Sequence, residues 1–549
     1  MRLNNFWRSI AAVFLFHLSI CHAALVCDSS STPQQFGALK ITHLCNGDVL
    51  DNIFPTPHYT YEIYKVEKPR PDQSGITDIL YLQWVPSKGA KRPAGVVHVP
   101  YYIIDWGSYT APNAPFRTLL DPKELPWLDR ATGPQEDYDG PFYKPGVSSQ
   151  MYLPRQAADL YLDNIATRVY LAHDVSVLNV FARFYVGGDA INEANEIQIG
   201  FEFLATRNNV DMSKIGFESG SWGGLAGLYG SLSNIRPRVA SYYSPMIDFQ
   251  ALDKNVTDAT AGLTLEQALL FGDPNKTVAE REPAVRAEMA KNPALAQKLN
   301  GLTYEQADAF LQGVRRVLLY LDPYFRRVQA SIPPGQETSP DRFAAFSAQA
   351  LFNPPSGNGY NTESIIAVDD LDTVTPYNIY KQSVALAPSG KIFTYHSTHA
   401  VSQFQPIDIN NRDVMVLIGQ NKLAMGHEQP GYEMNGNGLM PWARVFMMNR
   451  LMEHEIAVDP AAKIVIPVDV PAFVDVNLKL TQMPDATWAR PLYKELCAPR
   501  VEFYDIASPT RATGPQVLAS LMVNVWKRPD MGDPGTVCQQ LDAFDFKLH

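Results

Sequence analysis

Short apolar runs alternate along this chain with stretches in which apolar residues recur at helical spacing. Residues 79–86 (ILYLQWVP) and 95–102 (GVVHVPYY) read as strands, split by the turn-rich SKGAKRPA. Residues 105–150 are crowded with proline, glycine and aspartate, the composition of a long loop. A third strand covers 176–185 (SVLNVFARFY) and stops at Gly187-Gly188-Asp189. A helix follows from about Glu193, with Ile197, Gly200, Phe201 and Leu204 on one face. Asp211 precedes a short apolar run at 215–217 that leads into ESGSWGG, and 238–247 (RVASYYSPMI) is a further strand. Strands alternating with helices predict a mainly parallel sheet covered on both faces.

The pattern then turns helical for about a hundred residues. Thr264 with Gln267, and Thr303 with Gln306, have the spacing of capping boxes. Behind the second box, Ala307, Phe310, Leu311, Val314, Leu318 and Leu321 form an apolar stripe. The sheet resumes at Glu363 with SIIAVDDLDTVTP, followed by a helix from about Asn378 and a strand at 391–395. Residues 414–419 are a further strand candidate, and a long helix begins at Pro441, a favourable first-turn residue. Beyond 460 the pattern is one of short strands and loops without an evident role. The expected division is a leader at 1–23, a sheet-forming domain at 24–249 and 361–459, a helical insertion at 250–360, and an extension at 460–549.

The leader rests on order of composition. Arg2 and Arg8 are followed by the apolar IAAVFLFHLSI and then by small residues around Ala23 and Ala24, as in a secretory signal peptide. The apolar run is shorter than the roughly 20 residues that span a bilayer, so no membrane span is expected once the leader is removed. A secreted or periplasmic location follows. Removing the leader also removes Cys21 and leaves Cys27, Cys45, Cys497 and Cys538, two close pairs whose spacing favours Cys27–Cys45 and Cys497–Cys538 bridges. With 549 residues, 46% of them hydrophobic, the chain can bury a large core. A net charge of −11 without a basic run argues against a nucleic-acid partner. Oligomeric state is not legible.

The stretch IGFESGSWGGLAGLYGSL carries the most chemistry. Ser221 stands between a short strand and a helix rich in glycine and alanine, with Gly220 before it and Gly223 and Gly224 after. A serine exposed on a tight strand-to-helix turn needs such small neighbours. The motif resembles the nucleophile elbow of α/β-hydrolases, especially the prolyl-oligopeptidase, esterase and cap-bearing aminopeptidase branches. One departure is Ser219, where the usual first glycine stands. The resemblance covers roughly residues 75–250 and 360–455. It implies an α/β-hydrolase fold, a mostly parallel sheet flanked by helices, with a helical cap inserted before the acid-bearing strand. It also implies a Ser–acid–His triad, no cofactor, and Ser221 attacking an ester or amide carbonyl of a small or polymeric substrate.

In that order of residues Asp372 is the favoured acid, with Asp369, Asp370 and Asp248 as competitors. The base is His399 or else His427; His396 is read as structural. His396 and His399 lack a third ligand nearby, and no Cys-x-x-Cys pair exists, so no metal site is expected. The Trp222 amide is one expected oxyanion donor, and Tyr101 or Tyr102, after the strand GVVHVPYY, the place for a second. An esterase is favoured, because the chain before Ser221 has no room for the β-propeller of the peptidase branch. A secreted aminopeptidase of the same fold stays open, as does a non-catalytic relative that only binds a ligand.

Overall fold

A computed structural model describes residues 26–27, 31–49, 59–70, 75, 77–89, 94–99, 170–171, 173–181, 190–232, 234–273, 275–337, 339–369, 372, 375–389, 391–397, 440–453, 464–468, 497, 501–505, 511–524 and 528–543. The sheet opens with β1 (Val26–Cys27), β2 (Gln34–Phe36), β3 (Leu39–Val49), β4 (Tyr59–Pro69), β5 (Thr77–Val85), β6 (Gly95–Val99) and β7 (Ser176–Phe181). Helix α1 (Ala190–Ala205), β8 (Ile215–Gly220), α2 (Ser221–Gly230) and β9 (Val239–Tyr243) come next. Among the described residues six α-helices precede the next strand: α3 (Phe249–Ala259), α4 (Leu265–Phe271), α5 (Val278–Met289), α6 (Pro293–Leu299), α7 (Tyr304–Ala330) and α8 (Ala348–Phe352). Then come β10 (Glu363–Asp369), α9 (Tyr377–Val384), β11 (Ile392–Ser397) and α10 (Met440–Leu451). The chain finishes with β12 (Ile464–Val468), β13 (Val501–Asp505), β14 (Arg511–Thr513), α11 (Gly514–Asn524) and α12 (Val537–Ala543).

Among the described residues one sheet has the order β1-β3-β4-β5-β7-β6-β8-β9-β10-β11, with β2 beside β3. Strands β1 to β5 pair antiparallel, and β5 meets β7 antiparallel. From β7 through β6, β8, β9 and β10 to β11 every pairing is parallel. The run from β4 to β11, with its swapped β7 and β6 and its one antiparallel strand, β5, is the α/β-hydrolase strand order. The antiparallel strands at 26–69 fall inside the sheet-forming domain expected at 24–249, but none of them was named individually in the sequence-based expectation. Segment LKIT alternates apolar and polar residues, and YEIYKVE does so except at Ile63-Tyr64, the signature of half-buried strands.

Apolar strands explain the core. Val97, Val99, Leu178, Val180 and Phe217 are buried against α1 and α2. On the other face α10 closes over β8, where a Cβ on Gly216 would lie 3.1 Å from Leu451. The helices between β9 and β10 carry a second core of their own, including Leu263, Phe271, Leu295, Leu299, Leu311 and Val314. Both expected capping boxes form: Thr264 and Thr303 each exchange hydrogen bonds with the glutamine three residues on. A third box at Thr277 and Glu280 starts α5. Strands β12, β13 and β14 make a separate small sheet from the extension beyond 460.

Cys497 and Cys538 are joined in a disulfide. Cys27 and Cys45 are register partners in the β1–β3 ladder, and their side chains lie outside the described residues. Non-reducing peptide mapping of exported protein is expected to recover Cys27–Cys45 and Cys497–Cys538 as two bridges. Alkylation of all four thiols without reductant would refute both the pairing and the oxidising compartment.

Candidate active site

The site starts from one strained residue. Ser221 has φ +51°, left-handed backbone that serine seldom adopts, directly after the extended Gly220 at φ −142°. Such a position costs a non-glycine residue about 1–2 kcal/mol and persists only where its surroundings hold it. Here the surroundings are visible. The Met246 N–H donates to the Ser221 carbonyl at 3.2 Å, and a Cβ on Gly224 would fall 2.5 Å from Pro245 Cβ. The loop after β9 is thus pressed against the first turn of α2, and only glycine at 224 allows it. Ser221 lies at the carboxyl end of β8, in the middle of the parallel block, where open α/β sheets place their ligands.

Ser221 to Gly224 form the first turn of α2, so their amides have no acceptor inside the helix. Trp222 turns its side chain into the protein. Its ring is fully buried between Phe249 of α3 and Tyr324 of α7, and Nε1 donates to the buried Glu193 carboxylate of α1 at 2.5 Å. Sequence reading had no signal for Glu193, since a glutamate early in a helix is unremarkable. Ser219, the departure from glycine, is buried between Val99 of β6 and Tyr242 of β9, and its hydroxyl has no hydrogen-bond partner among the described residues.

Asp372 sits just beyond β10, at the same sheet edge as Ser221 and separated from it by β9. A solvated turn carboxylate is excluded, because Asp372 is only 2% exposed. Its two oxygens accept from the Thr375 amide at 2.8 Å and the Thr375 hydroxyl at 2.7 Å. Thr375 Oγ1 in turn contacts Tyr380 OH at 2.5 Å, which ties the carboxylate to α9. Asp248 is committed elsewhere, capping α3 by accepting from the Ala251 amide. Asp369 ends β10, and its side chain, like Asp370, is outside the described residues; so are His399, His427, Tyr101 and Tyr102. His396 is in β11, paired in register with Val368, with its side chain undescribed.

Beneath the Ser221 turn lies a charged pair that sequence reading missed. Glu218 of β8 and Arg444 of α10 meet at 2.7 Å, both 1% exposed or less. The Tyr170 hydroxyl also donates to Glu218. Burial opposes ionisation of Glu218 most strongly. The charge and hydrogen bonds of Arg444, helped by His98 and Tyr170, outweigh it and hold the carboxyl below the usual range. Among the described residues no cluster of three metal-ligating side chains occurs, and no helix is long and apolar enough to cross a membrane.

No family model matches the sequence, and none of the curated proteins does. Solved structures align at low similarity. An acetyl xylan esterase from Paenibacillus sp. R4 shares 11% identity over 65% of this chain and 83% of its own, with a TM-score of 0.28. Candida antarctica lipase A in its closed state shares 13% over 65% and 77%, with a TM-score of 0.32. A rice cell wall degrading esterase from Xanthomonas oryzae shares 10% over 68% and 90%, also at 0.32. At these scores the assignment of the fold rests on the strand order and not on the likeness.

Proposed function

The chain has the α/β-hydrolase fold, and on that premise we propose that it is an exported serine hydrolase that cleaves ester bonds through an acyl-enzyme on Ser221. One observation carries this reading: a serine with positive φ at the β8–α2 junction, braced by Met246 and Pro245. Backbone strain of that kind is retained where a reactive group must be presented.

In the proposed reaction the Ser221 hydroxyl attacks the carbonyl carbon while a histidine, His399 in the first instance, takes its proton. The Trp222 amide, with no acceptor within the helix, donates to the oxygen as negative charge develops, and a donor at Tyr101 or Tyr102 assists. Asp372 orients the histidine. The histidine returns the proton to the leaving alcohol, and water then releases the acid by the same steps in reverse. The six helices between β9 and β10 act as a cap that shapes the mouth of the site. Residues 1–23 serve as the export leader.

A fluorophosphonate probe tests the chemistry. Peptide mapping should find the adduct on Ser221, and p-nitrophenyl esters should turn over faster than aminoacyl arylamides. A folded protein that takes no label refutes catalysis and leaves the ligand-binding reading. Arylamides preferred over esters would make the protein an aminopeptidase instead.

A further inference from the structure

Four apolar strands carry the buried polar residues Gln83, Asn179, His98 and Glu218, and the sheet brings these four into a single line. Gln83 of β5 pairs in register with Asn179 of β7, Asn179 with His98 of β6, and His98 with Glu218 of β8. All four are 4% exposed or less. The Asn179 amide donates to Gln83 Oε1 at 2.7 Å, and His98 Nδ1 lies 2.9 Å from Asn179 Oδ1. Glu218 is held by the Arg444 guanidinium, whose Nε lies 3.3 Å from both carboxylate oxygens.

Stability alone is a poor reason for this row. Buried ion pairs are often no better than apolar side chains of equal volume, since both charges must leave water. What the row does supply is register. Slipping a strand by one residue turns every side chain to the opposite face, which would strand Glu218 or Arg444 without its partner. Strands β6 and β8 are therefore locked at one relative height. Ser221 is three residues beyond Glu218, as Tyr101 is three residues beyond His98 in the sequence.

We propose that Arg444 and Glu218 are positioning residues, whose buried pair anchors this polar row and so sets the height of the Ser221 turn on the sheet edge. The inference rests on Ser221 being the nucleophile for its catalytic consequence, though not for its structural one. Neither residue touches substrate. They act by holding β8 against β6 and α10, so their loss should lower the rate constant and leave substrate affinity alone.

The test compares Arg444→Met, Arg444→Lys and the double variant Glu218→Met with Arg444→Met. Arg444→Met strands the Glu218 charge and should melt lowest. The double variant removes both charges and should regain most of that melting temperature. Its kcat on p-nitrophenyl acetate and its rate of fluorophosphonate labelling should nevertheless stay at least about tenfold low, with KM within about threefold. Arg444→Lys keeps the charge without the fork and should fall between. Amide exchange, followed by mass spectrometry, should quicken in peptides covering 213–230 of the double variant while distant peptides are unchanged. Wild-type labelling, kcat and exchange in the double variant, or in Arg444→Lys should the double variant not fold, would overturn the proposal. If wild-type protein takes no label, the proposed function fails, and exchange at 213–230 alone still decides whether the row is a lock.

Discussion

Ser221→Ala should lose all fluorophosphonate labelling and on the order of 10³-fold or more of ester turnover, with its melting temperature within a few degrees of the parent. The size of the loss follows from chemistry, since alanine offers no atom to attack the carbonyl. The small change in stability follows from packing. Alanine keeps the Cβ and the same positive φ, and the braces at Met246 and Gly224 do not involve the hydroxyl. Ser221→Gly separates strain from chemistry. It should be equally inactive but more stable than Ser221→Ala by up to about 1 kcal/mol, because glycine adopts φ +51° without a Cβ clash. Calorimetry together with labelling reads both effects. A Ser221→Ala protein that keeps more than about a tenth of wild-type turnover would remove Ser221 as the nucleophile, because triad serines do not tolerate that change.

His399→Ala should cost on the order of 10³-fold in turnover, whereas His427→Ala should cost far less. The position of β11 supports this order. It is the strand after β10, runs parallel to it, and ends at Ser397, two residues before His399. The described strand therefore ends at the sheet edge where Ser221 and Asp372 lie, and His399 follows two residues later in the sequence. His427 stands 13 residues before α10 begins at Met440 (440 − 427), with no described strand to place it. Both variants must be checked by circular dichroism. A dead but folded His427→Ala beside an active His399→Ala would transfer the base to His427.

The elbow could be read from sequence because its constraint is local. A serine at positive φ needs small neighbours close by, and Gly220, Gly223 and Gly224 all lie within three residues of it. Helix starts were legible for the same reason: Thr264 and Thr303 bond to groups three residues away. Asp372 could be nominated by its place after a strand. Its burial, and its hold on Thr375 and through it Tyr380, needed the folded α9. The antiparallel strands of 26–69 went unread, since an alternation of polar and apolar residues fits an exposed hairpin as well as the flank of a large sheet.

What the sequence alone determined, then, is the alternation of strands and helices, the tight turn at Ser221, and the presence of Gln83, His98, Asn179 and Glu218 within the apolar runs ILYLQWVP, GVVHVPYY, SVLNVF and IGFESG. What only the tertiary structure decided is that Gln83, His98, Asn179 and Glu218 share one row and that Arg444, 226 residues from Glu218, closes it. The reason is physical. Side-chain direction along a strand has a period of two and is written locally, but strand order and register come from burying whole faces against α1, α2 and α10. A lone glutamate in an apolar strand therefore has no readable partner until the sheet has assembled around it.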